Sequence, residues 1–286
     1  MKVQKIAVIG AGIMGNGIAQ VISTAGFSVS LRDIEQKYLD SALGKIKESL
    51  SRFVKKGKLT DGDLQSILKR IHLTTDTRKA VEDADYIIEA VPEVLDLKRE
   101  LFAEMDRLAP PHAIMATNTS QFRITSVASA TKRRDKVIGT HFFNPPPLRR
   151  LVEIIRGLDT SDETLESTKS LCQKWEMETV VCKKDTAGFI TSRLLGLWAI
   201  EAEKIYEEGI ASIEDIDKAC RLAFGHPMGP FETSDFTGLD TGLKVRWALA
   251  EVYGERYRPT QTRINLVEAG YYGRKAGRGF YRYDEK

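Results

Sequence analysis

KIAVIGAGIMG, residues 5–15, decides the fold. The apolar run at 6–9 leads directly into Gly10-Ala11-Gly12-Ile13-Met14-Gly15, and residues 14–24 continue with helical periodicity. A strand that turns through G-x-G-x-x-G into a helix presents free backbone N–H groups and the positive end of a helix dipole to an anion. Glycine supplies the tight turn and the close approach of backbone to phosphate. With 22 glycines in 286 residues the motif alone is weak, and its place between strand and helix makes it strong. The competing reading is a tight turn that holds nothing.

The next strand, 28–31, runs into Arg32 and Asp33, eighteen residues past Gly15. A carboxylate there accepts hydrogen bonds from adenosine ribose hydroxyls and repels a 2′-phosphate, which favours NAD over NADP. Arg32 would favour the phosphate, but adjacent strand residues point to opposite sides. The candidate cofactor residues of this turn are Gly10, Gly12, Ile13, Met14, Gly15 and Asp33.

Further apolar runs at 86–90, 113–116, 137–141 and 152–155 alternate with helical segments such as 95–108. This predicts an α/β fold, a Rossmann-type doubly wound and mainly parallel sheet, over residues 1–185. About fifty residues separate Asp33 from the strand at 86, too many for one crossover helix. They read as a protruding helical hairpin over about 39–70, broken at 57–59 and capped by Thr60. Strand-like runs then stop: 190–207, 213–223 and 239–253 read as helices, punctuated at 225–227 and 229–230. Residues 186–286 are accordingly expected to form an all-helical C-terminal domain.

The chemistry-bearing residues lie at strand ends. In 137–144, VIGTHFFN, His141 closes an apolar strand just before three prolines. In an open α/β sheet the ligand crevice lies beyond the carboxyl ends of the strands. Glu153 sits in the apolar run 151–155, where a carboxylate needs a partner. Paired, it orients the His141 imidazole and stabilises its protonated form, so that His141 acts as general base on a substrate hydroxyl. Residue types and spacing equally allow a histidine bonded for structure, with Glu153 turned to solvent. Likewise the polar cluster at 116–120, ATNTS, either caps a helix near 124–130 or lines the crevice.

Composition narrows the classes. The formal net charge is +3, with 42% hydrophobic and 29% charged residues, which gives no reason to expect nucleic acid or a membrane as partner. No stretch approaches the ~18 apolar residues of a membrane helix, and residues 1–9 do not resemble a targeting peptide. Three cysteines without a CxxC pair fit a reduced, cytoplasmic setting. Four histidines without ligand spacing predict no protein-held metal.

IGAGIMGNGIAQ at 9–20, ATNTS at 116–120, HFFNP at 141–145, LVEIIRG at 151–157, HPMGP at 226–230 and GRKAGRGFY at 273–281 together resemble the L-3-hydroxyacyl-CoA dehydrogenase family, particularly its bacterial 3-hydroxybutyryl-CoA dehydrogenases. The resemblance implies hydride transfer between NAD and C3 of a short-chain 3-hydroxyacyl-CoA or 3-ketoacyl-CoA. It implies a homodimer formed through the helical domain, which closes over the acyl-CoA substrate. It assigns His141 and Glu153 as the catalytic pair, with Ser120 on the reacting oxygen beside the nicotinamide. Glu93, Lys98, Ser120, Asn144 and Lys275 match cofactor-contacting positions, and Ser49 and Lys56 match positions that contact CoA. Around these two, Lys45, Lys47, Arg52, Lys55 and Lys58 face a single acid, Glu48. Such a run is either a solvated helix face or a site for the phosphates of CoA.

Where the family reads GFVVNR, residues 188–193 read GFITSR, so Ser192 replaces an asparagine expected to fix the substrate oxygen. Thr117 and Gln121 also depart from the pattern. Two other readings stay open, the first of them motivated by Ser192. One is the same fold acting on a CoA-free hydroxy acid of the sugar-acid or carnitine type; the other is a dinucleotide-binding protein without catalysis.

Overall fold

In the computed structural model, which describes residues 3–283, the opening stretch forms β1 (Lys5–Ile9) and α1 (Ile13–Thr24). The chain divides into two compact units, Met1–Thr186 and Ala187–Lys286.

The first unit holds one sheet of eight strands. Besides β1 these are β2 (Ser28–Arg32), β3 (Ile71–Thr74), β4 (Tyr86–Glu89), β5 (Ile114–Thr117), β6 (Val137–Phe142), β7 (Leu151–Arg156) and β8 (Glu178–Cys182). Their order is β3-β2-β1-β4-β5-β6-β7-β8. From β3 to β6 every pairing is parallel, so these carboxyl ends share one edge. β7 runs antiparallel to β6, and β8 parallel to β7. The order reverses between β1 and β4, the switch point where a doubly wound sheet opens a crevice. The expected fold class is therefore present, with two strands beyond those expected. β3 and β8 lie at the sheet's edges, where little is buried and no continuous apolar run is required: β8 alternates exposed Glu178 and Val180 with better covered neighbours.

Between β2 and β3 lie α2 (Gln36–Lys55) and α3 (Asp61–Lys69), turning at Gly57. Thr60 caps α3 in a reciprocal capping box with Asp63. This hairpin differs from the protruding one expected. Leu39, Ala42, Ile46 and Leu50, at helical spacing, are fully buried and continuous with the core that contains Ile18 and Ile22 of α1. An apolar stripe of that width is stable only against a partner, and α1 provides it. The opposite face of α2 carries the cations. The other helices of this unit are α4 (Thr77–Val81), α5 (Leu95–Leu108), α6 (Ile124–Ala128) and α7 (Asp162–Lys174).

The second unit is helical: α8 (Thr191–Glu207), α9 (Ile213–Phe224), α10 (Pro230–Thr237), α11 (Leu239–Tyr253) and α12 (Gln261–Glu268). α10 and α12 lack an apolar stripe, which is why sequence periodicity does not announce them. Buried polar groups hold them instead: Ser234 and Asp235 from α10, Arg263 from α12. Glu203 of α8 receives Arg246, Arg263 and Thr260. Asp217 accepts from the Phe231 and Glu232 backbone N–H groups and from the Tyr281 hydroxyl, and Asp235 accepts from the backbone of Phe280 and Tyr281. Burial pushes both aspartates up from the usual carboxylate range. No helix of the described residues is long and apolar enough to cross a membrane.

Candidate active site

At the β1–α1 turn, Gly10 has φ +104°, and a Cβ there would lie 2.7 Å from the Ala90 carbonyl oxygen. A Cβ on Gly15 would lie 1.7 Å from the Gly10 oxygen, so the turn closes this tightly only with glycine at 15. Gly12 is the N-cap of α1 and makes no side-chain cap; a Cβ on it would meet nothing within 4 Å. The first N–H groups of α1 have no partner in their own helix, and the space beside Gly12 is open. Ile13 is exposed, and Met14 packs partly on the core.

Asp33, just past β2, is tied to this turn: its carboxylate accepts from Ala11 N and Ile34 N, both at 2.7 Å. An uncapped helix start, an open approach and a held carboxylate fit the pyrophosphate and ribose of a dinucleotide.

At the ends of β4 and β5 lies a buried polar chain. Glu89 Oε1 accepts from Lys98 Nζ (2.7 Å) and Val91 N (2.7 Å), and Oε2 accepts from Thr117 Oγ1 (2.6 Å). Lys98 also pairs with Glu93 Oε2 at 2.9 Å. Glu93 Oε1 in turn accepts from Thr119 Oγ1 (2.5 Å) and Ser120 N (2.8 Å). Lys98 is 1% exposed, whereas the Glu93 side chain is 29% exposed. Of the two openings for the 116–120 cluster, the structure excludes the cap: α6 begins on the carboxylate of Asp185, which accepts from Ile124 N and Thr125 N. Thr119 and Ser120 instead join Glu93, and Asn118 Oδ1 accepts from Phe142 N at 2.9 Å. The β5–β6 ladder ends at Thr117–Gly139, so the Asn118 side chain bridges the strands where they separate.

His141 and Glu153 are directly opposed in the antiparallel β6–β7 pair, which sends both side chains to one face. His141 Nδ1 lies 3.0 Å from Glu153 Oε2; Glu153 is fully buried and His141 nearly so. The alternative of a solvent-facing Glu153 is thereby excluded.

A cleft of about 550 Å³ lies between α1, α2 and the 144–148 loop. Lys45, Ser49, Arg52 and Lys56 line it, spaced along one face of α2 and its C-cap, with Lys58, Ile13 and Asn144 also in its wall. Lys47 and Lys55 are not part of its wall. Gly17 is essential to this wall: a Cβ there would lie 2.7 Å from Pro146, so only glycine lets the proline loop seat on α1.

Two expected site residues lie in the second unit. Ser192 is in the first turn of α8, and Lys275 pairs with Asp240 at 2.8 Å. Sequence reasoning missed Glu89, Asp185 and Gly17 as site residues, and took Asn118 only as one member of the 116–120 cluster. Only Glu89, a carboxylate closing an apolar run, carried a signal that could have been read.

The comparisons agree along the whole chain. The family model "3-hydroxyacyl-CoA dehydrogenase, NAD binding domain" matches residues 5–186, and "3-hydroxyacyl-CoA dehydrogenase, C-terminal domain" matches 188–283. A probable 3-hydroxybutyryl-CoA dehydrogenase of Bacillus subtilis is 42% identical over 287 residues, covering 100% of this chain and 99% of the relative. FadB2 of M. tuberculosis superposes with a TM-score of 0.96 at 38% identity, over 99% of this chain and 100% of that one. The (S)-3-hydroxybutyryl-CoA dehydrogenase of Ralstonia eutropha gives 0.94 at 38% identity, again over 99% and 100%. With both domain models matched in order and relatives aligned from end to end, this chain belongs to the 3-hydroxyacyl-CoA dehydrogenase family.

Proposed function

We propose that the protein is an NAD-dependent dehydrogenase interconverting 3-hydroxyacyl-CoA and 3-ketoacyl-CoA thioesters of short, butyryl-type chain length. The observation that carries this reading is the His141–Glu153 pair, held in register at a strand end of a dinucleotide-type sheet. Glu153 fixes the imidazole through Nδ1, so Nε2 is the nitrogen that exchanges the proton. In the oxidative direction His141 takes the proton of the C3 hydroxyl, and Glu153 stabilises the imidazolium that forms. The bound cofactor supplies the hydride acceptor. Ser120 donates to the reacting oxygen; Ser192 stands where the family has an asparagine and offers a single hydroxyl. Glu93, Ser120 and Asn144 bound the nicotinamide end, with Lys98 acting on it through Glu93; Lys275 matches a cofactor-contacting position of the family. Ser49 and Lys56, backed by Lys45 and Arg52 on the same helix face, bind the phosphates of CoA. The protein works as a cytoplasmic homodimer formed through the helical domain.

Asp33 sets the preference for NAD through the charge it holds at the end of β2. Asp33→Ser is expected to weaken NADH binding and narrow the NADH-over-NADPH preference by about tenfold or more, the worth of a charged hydrogen bond. Dissociation constants for both nucleotides, read by fluorescence, check this.

The substrate class is tested by NADH oxidation with acetoacetyl-CoA and with free acetoacetate. We expect kcat/KM to favour the thioester by about a hundredfold or more, because binding energy from the CoA moiety is used at the reacting carbon. Preference for the free acid would instead support the reading that Ser192 motivates, a CoA-free hydroxy acid.

A further inference from the structure

Glu89 belongs to none of the roles assigned above, yet it is fully buried at the switch point of the sheet, opposite Ile9 of β1 on one side and Thr117 of β5 on the other. We propose that Glu89 is a positioning residue for the nicotinamide end of the cofactor site: it anchors Lys98, and through Lys98 it holds Glu93 against Thr119 and Ser120. The proposal rests on the reading that Glu93 contacts the cofactor.

The geometry runs in one direction. Val91 N and Thr117 Oγ1 fix the Glu89 carboxylate to the ends of β4 and β5. The Lys98 ammonium has three hydrogens, and its partners are Glu89, Glu93 and the Val91 carbonyl oxygen (3.3 Å). Its donors are thus spent inside the protein, and the group that reaches the crevice is the part-exposed Glu93. A buried ammonium opposed only by a part-solvated carboxylate would be poorly compensated. Glu89 completes the compensation and ties the ammonium to the sheet, so Glu93 stays where Thr119 and Ser120 bond it.

An isosteric Glu89→Gln keeps the volume and removes the charge. NADH affinity is measured by fluorescence on the full-length protein, with KM for acetoacetyl-CoA and thermal unfolding alongside, for Glu89→Gln, Glu93→Gln and the double variant. We expect Glu89→Gln to raise the NADH dissociation constant by about three- to thirtyfold, with KM for acetoacetyl-CoA within about twofold and little further effect in the Glu93→Gln background. Additive effects on NADH binding would overturn the proposal, since a residue that only supports folding does not act through Glu93. An unchanged Glu89→Gln beside an impaired Glu93→Gln would also overturn it while leaving the cofactor role of Glu93 intact. A silent Glu93→Gln would remove that role and this inference together. Should Glu89→Gln not fold, Thr117→Val deletes the bond to Oε2 without altering any charge. It is expected to shift NADH binding in the same direction, again only when Glu93 is present; no shift, or one independent of Glu93, would refute the proposal.

Discussion

His141→Gln is expected to lower kcat by about two to four orders of magnitude while NADH affinity stays within about twofold of the parent, the signature of losing a positioned acid–base and nothing else. The glutamine amide can still donate to Glu153, so the strand-end hydrogen bond survives in the variant. What disappears is a group able to take and return a proton. The turn and carboxylate that fit the nucleotide belong to β1, α1 and β2, separate strands from the β6–β7 pair. A histidine bonded only for structure makes the opposite forecast: a lower melting temperature with turnover nearly intact. Single-turnover hydride transfer, followed by NADH absorbance, separates the two. Near-normal turnover would remove His141 from the chemistry.

The largest effect on stability is expected at Glu203, far in sequence from any expected site residue except Ser192. It is 1% exposed and receives Arg246 through both guanidinium ends (2.6 and 3.0 Å), Arg263 through two nitrogens (3.0 and 2.5 Å) and the Thr260 hydroxyl (2.5 Å). Arg246 and Arg263 are themselves almost fully buried. Removing the carboxylate strands two cations in a low-dielectric interior, so Glu203→Gln should cost about 3–5 kcal/mol, measured by urea unfolding at pH 7. The two guanidinium groups hold the Glu203 carboxyl at about 2, below its ordinary 4.5, against the opposing effect of burial. Because the folded-state value is the lower one, this stabilisation is complete above pH 4.5 and is lost as pH falls from there toward 2. Parent and variant should therefore converge in stability on acidification across that window. A gap that stays constant from pH 7 to 3 would refute the electrostatic account.

Much of the molecule is legible from short-range chemistry. The strand, the glycine turn and the start of α1 are neighbours in the chain, so residue types alone dictate that turn. The acid closing β2 and the apolar stripe of α2 are equally local. The cation face of α2 follows from the same period, although only the folded chain separates Lys45, Arg52 and Lys56 in the cleft wall from Lys47 and Lys55 outside it. The edge strands β3 and β8 and the helices α10 and α12 escape such reading because their burial is one-sided or polar.

Register and polar burial belong to the tertiary structure. A histidine, a glutamate and an intervening proline loop are visible at 137–155, but their meeting depends on residue 141 lying opposite 153. A slip of one residue would send Glu153 to the other face of the sheet. Glu89, Lys98 and Glu203 look like surface charges to any count of composition. They become interior groups because partners from distant segments compensate the loss of water: Thr117 for Glu89, Arg246 and Arg263 for Glu203. Periodicity reports how apolar groups leave water, one element at a time. Charge compensation requires two segments to arrive together, and only folding brings them there.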